Sequence, residues 1–160
     1  LFLYRLASQN RKTNNITTKR FHALVITALG ITLLQVILGT QVRQFVDDQL
    51  TQNGITKANV LTHPEITFYI HRSFSILIFV VNAVIWWISK KNNLGFRLPN
   101  WIIAIISLEI ITGIIMYYFG FPFSTQALHL IFAALLFGLQ FYLILISSAA
   151  KRENITLKLT

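Results

Sequence analysis

Four apolar stretches constrain this chain more than any other feature. They run over about residues 21–42, 66–89, 101–119 and 124–148. Each reaches or approaches the roughly 20 residues that carry a helix across a hydrocarbon core. A segment in lipid must satisfy its own N–H and C=O groups, so the expected fold is all-α: a polytopic membrane protein with a four-transmembrane-helix bundle. Composition agrees. The 160 residues are 54% hydrophobic and 12% charged, whereas a soluble domain carries about a quarter charged residues. There is no cysteine, which excludes disulfides, thiolate ligands and iron–sulfur clusters.

A net charge of +9 suggests nucleic acid at first sight, but the basic residues sort by topology instead. Arg5, Arg11, Lys12, Lys19 and Arg20 precede the first span. Lys90, Lys91 and Arg97 lie between the second and third, and Lys151, Arg152 and Lys158 follow the fourth. Eleven of the 14 basic residues therefore fall on one side. Arg43, Lys57 and Arg72 are on the other, beside Asp47, Asp48 and Glu65. Both termini are expected on the cytoplasmic or matrix side, of a bacterial cell membrane or a mitochondrial inner membrane. No nucleic-acid partner is expected, and lipid is.

Residues 1–20 read as a linker, 21–150 as the bundle and 151–160 as a tail. Leu1-Phe2-Leu3-Tyr4 before Arg5 looks like the last turn of an earlier helix, so an upstream bundle is expected; a trimmed start is the alternative. The first helix is expected to end at Thr40-Gln41-Val42-Arg43. Residues 44–64 then form the longest outer loop, with Asn53-Gly54 as a turn signal. The second helix follows Pro64, with Glu65 in its first turn, a favourable place for an acid. Trp86-Trp87 and Trp101 mark the inner interface, and Tyr117, Tyr118, Phe119 and Phe121 an outer aromatic belt.

The two halves repeat each other. Leu34-Gln35-Val36-Ile37-Leu38-Gly39 matches Leu108-Glu109-Ile110-Ile111-Thr112-Gly113, and Ile70-His71-x-x-Phe74 matches Leu128-His129-x-x-Phe132. An amide follows each histidine by eleven residues, Asn82 and Gln140, which puts it on the same helical face. Two such hairpins imply a pseudo-twofold axis along the membrane normal, with one histidine from each facing it. Chance likeness among apolar helices is the alternative.

His71 and His129 lie at matching depth in alternate helices. One intramembrane histidine is as readily a buried polar residue bonded to a neighbour as a functional group. A matched pair points to a haem held between them, since helix bundles build cofactor sites from facing side chains. Two imidazoles make a six-coordinate iron suited to moving one electron. Gly39 and Gly113 would give a flat ring room, with Ser75 and Ala133 as small neighbours; close helix packing is the other use of such residues. Arg72, and less directly Arg43, could pair with haem propionates; interfacial snorkelling is the alternative. Glu109 is the one acid deep in a span, at a cost of about 3 kcal/mol if charged. It is expected to be protonated or bonded to an amide such as Gln35, with a proton relay as the functional reading. His22 reads as an interfacial residue and His63 as a solvated loop residue.

At Gly39-Thr40-Gln41-Val42-Arg43, His71-Arg72 and Pro122-x-x-x-Gln126-x-x-His129 the chain resembles the haem A synthase family, in its C-terminal half. The resemblance covers about residues 20–150. It implies one of two similar four-helix bundles in an oxidoreductase that converts the C8 methyl of haem O to the formyl of haem A for cytochrome oxidase. It implies that this half holds a haem b between His71 and His129 for electron transfer, while an upstream bundle takes haem O. The substrate half of the family has a glutamate four residues before its first histidine. Here that residue is Thr67, which argues against catalysis by this segment. Three other readings stay open: a stand-alone b-type cytochrome subunit, a half-size homodimeric synthase, and a haem-free transporter or assembly factor. Further copies of the chain or oxidase assembly factors are the other partners to consider.

Overall fold

The computed structural model describes residues 15–156, apart from 52, 53, 55, 58 and 123. The apolar turn at 1–4, Arg5, Arg11, Lys12, Asn53 and Lys158 lie outside the described residues, as do the side chains of Lys151 and Arg152. Four helices follow in order: α1 (Asn15–Thr51), α2 (Ile66–Lys91), α3 (Leu98–Tyr118) and α4 (Thr125–Thr156). All four are long and apolar enough to cross a membrane. The chain is an all-α bundle and a multi-pass membrane protein.

Each helix packs on its chain neighbours, and α1 closes the ring against α4. That order puts α2 and α4, the histidine helices, on one diagonal and α1 and α3 on the other. The core fills only one half of the bundle. Phe21, Val25 and Ala28 of α1 meet Ile78 and Ile85 of α2, Ile102 and Ile106 of α3, and Leu136 and Leu143 of α4. Most of them lie toward the terminal end, while Ile78, Ile106 and Leu136 form the border with the space the histidines line. The Asn82 and Gln140 side chains meet inside this core, Gln140 Nε2 donating to Asn82 Oδ1 at 3.1 Å. The two trailing amides of the repeat therefore join the hairpins.

Helix ends depart from expectation in four places, the first being that α1 begins at Asn15, inside the expected linker. α1 does not stop at Arg43 but continues to Thr51. Nothing breaks it: no proline intervenes, and the first glycine after Gly39 is Gly54, which takes φ +63° in the following turn. Thr51 Oγ1 donates to Asp47 O at 2.7 Å within this extension, shortening the expected loop. Glu65 is the N-cap of α2 rather than part of its first turn. α4 runs to Thr156, through most of the expected tail.

The short turns are held by specific groups. Pro99 opens α3, where its missing N–H costs nothing. Trp86 Nε1 donates to Asn100 Oδ1 at 2.8 Å, and the Lys91 ammonium sits 4.6 Å from the Trp87 ring centroid. Lys90 and Lys91 fall in the last turn of α2, where cations favour the helix dipole.

Candidate functional site

The half of the bundle that the core leaves unfilled holds a cavity of about 450 Å³. That is within the usual range for a ligand site. His71 and His129 reach it from α2 and α4, Gly39 and Gly113 from α1 and α3, and Arg43, Arg72, Ser75, Glu109 and Ala133 also line it. The expected site residues thus converge on one space.

The glycines admit a flat ring, and the ring is the histidine of the same hairpin. A Cβ at Gly39 would lie 3.1 Å from His71 Cε1, and one at Gly113 would lie 3.6 Å from His129 Cε1. Each hairpin repeats the same device: a glycine on its first helix receives the imidazole of its second.

The two imidazoles are held differently. His129 Nδ1 is 2.9 Å from Thr112 Oγ1 and 3.1 Å from the main-chain oxygen of Glu109. A carbonyl only accepts, so Nδ1 carries the hydrogen and Nε2 keeps its lone pair. Glu109 Oε2 also lies 3.1 Å from Nδ1, yet it is buried and aligned with no donor. His71 Nδ1 is buried with no partner. Its helix is tied instead by Gln35, whose Nε2 donates to His71 O at 3.0 Å. The expected Glu109–Gln35 bond is therefore not formed. Each residue serves the histidine of its own hairpin, because each lies one turn before that hairpin's glycine.

The remaining residues sort plainly. Arg72 places its guanidinium 5.6 Å from the Tyr117 ring centroid, and Tyr117 stacks on Phe68 at 5.5 Å. Arg43 is 3.6 Å from Asp47 on an exposed surface. His22 Nδ1 is 2.8 Å from Ser147 Oγ, a link between α1 and α4 far from the cavity. His63 is exposed in the loop before α2.

Val46 and Phe121 are among the lining residues that the sequence reading did not assign to the site. Val46 is buried on the unexpected extension of α1, where it walls the cavity. The signal was present: Val42, Phe45 and Val46 recur at helical spacing. Phe121 lines the cavity from the α3–α4 turn with φ +56°, a conformation rare for a bulky side chain. No sequence signal marks that angle.

These donors suit a metal that arrives already chelated. Among the described residues no three His, Cys, Asp or Glu side chains group to hold a bare ion. Nothing described bonds to Nε2 of His71 or His129, which leaves two imidazole nitrogens for a planar metal complex lodged in an apolar cavity.

A family described as cytochrome oxidase assembly protein (COX15-CtaA) matches residues 1–141. No curated protein and no solved structure matches the chain.

Proposed function

The chain belongs to the haem A synthase family of cytochrome oxidase assembly proteins, and on that premise we propose that it is a haem b-binding bundle serving electron transfer in haem A formation. The observation that carries the reading is the pair of histidines on diagonal helices, each backed by a glycine and both lining one cavity. When bound, haem b would supply a one-electron centre.

The chain's own residues do the rest. His71 and His129 are the residues that would hold the iron, through Nε2. Glu109 O and Thr112 Oγ1 fix the His129 tautomer by taking its Nδ1 hydrogen. Arg72 and Arg43, both lining the cavity, would neutralise the propionates, Arg72 steadied by the Tyr117 ring. The terminal half of the bundle is packed and excludes water beneath the site. Thr67 stands where the substrate half of the family has a glutamate, which supports electron transfer over substrate oxidation. Haem O oxidation then belongs to a partner bundle, and the termini lie on the cytoplasmic or matrix side.

The test is a reduced-minus-oxidised visible spectrum with a pyridine haemochrome assay. The purified chain is expected to show a low-spin b-type spectrum, lost in both His71→Ala and His129→Ala. Folded wild-type protein without haem would overturn the reading.

A further inference from the structure

The internal repeat exposes a difference between the two histidines that the matching pattern conceals. Aligned on their glycines, Gln35 stands opposite Glu109 and Leu38 opposite Thr112. In the second hairpin those are the two positions that face His129 Nδ1. In the α3–α4 hairpin, Thr112 Oγ1 and the Glu109 main-chain oxygen are within 2.9 and 3.1 Å of His129 Nδ1. The Glu109 carboxyl oxygen lies 3.1 Å from the same nitrogen, buried and accepting from no donor. In the α1–α2 hairpin the hydroxyl is replaced by an isobutyl group and the carboxyl by an amide. His71 Nδ1 is left buried without a partner, and so is Gln35 Oε1.

We infer that Glu109 and Thr112 are positioning residues that make His129 the stronger, fixed axial ligand, and that Gln35 and Leu38 leave His71 the weaker one. The inference rests on the haem reading above. An acceptor on Nδ1 fixes ring orientation and raises the donor strength of Nε2. Stronger donation stabilises the oxidised iron, so the acceptors on His129 hold the midpoint potential down.

The experiment is redox titration with electron paramagnetic resonance on the purified haem-loaded chain. Glu109→Gln and Thr112→Val are expected to keep haem while raising the midpoint potential and shifting the low-spin g-values. Thr112→Ser, which restores the hydroxyl, returns both to wild-type values. The double change Gln35→Glu with Leu38→Thr rebuilds the missing acceptors on His71 and lowers the potential. Haem retained with potential and g-values unchanged in both sets overturns the inference and leaves the haem reading standing. A folded wild-type chain that binds no haem overturns both.

Discussion

At the scale of single residues, the site depends on the absence of two side chains as much as on the presence of two imidazoles. The two glycines are not equivalent. An alanine Cβ at Gly39 meets His71 Cε1 at 3.1 Å, tighter than ordinary contact, while one at Gly113 meets His129 Cε1 at 3.6 Å. His71 must therefore tilt in Gly39→Ala, and a tilted rotamer costs about 1 kcal/mol. Haem affinity is expected to fall about fivefold in Gly39→Ala. Gly113→Ala is expected to bind haem as the wild type does. Titration of the apo-protein with haem checks both, and equal losses in the two variants would refute the packing argument.

At the scale of elements, what the sequence made legible follows from what lipid forbids. The four spans could be read because no unbonded backbone survives in hydrocarbon. The repeat could be read because His71, His129, Asn82 and Gln140 are costly there and so stand out. Helix ends are not under that constraint. α1 overruns Arg43 to Thr51 because beyond the apolar run only local breakers decide, and none occurs before Gly54. The partners of Glu109 were also hidden: pattern placed it near Gln35 in depth, but only side-chain distances assign it to His129. The contact between hairpins is testable by a double-mutant cycle. Asn82 is 2% exposed and Gln140 0%, so their bond is shielded from water. Leucine at either position alone is expected to destabilise the bundle by about 1 kcal/mol. The pair should show a coupling of about 0.6 kcal/mol, the usual scale for hydrogen bonds between helices in lipid. Reversible unfolding in mixed micelles measures it, and zero coupling would mean the hairpins are joined by apolar packing alone.

At the scale of the whole molecule, the two halves of the bundle divide the work. Packing fills the terminal half, and the histidine half is kept hollow. That polarity has a direction in the membrane, which the charges set. Lys90, Lys91 and Arg97 flank the α2–α3 turn, at the end of the bundle where α1 begins and α4 finishes. The opposite end, formed by the last turns of α1 and the connection to α2, has Asp47, Asp48 and Glu65 against Arg43 and Lys57. The bias of basic residues in short loops then places the histidine cavity near the face opposite the termini. The chain has no cysteine, so single introduced thiols report without background. Cysteine at Asn93 is expected to react with an impermeant maleimide only from the side that also reaches cysteine at Lys19, exposed near the start of α1. Cysteine at Thr62 should react only from the other side. If Thr62 and Asn93 label from one side, the single crossing of α2 does not separate them. The helices would then not span as the cavity, the core and the charge pattern require.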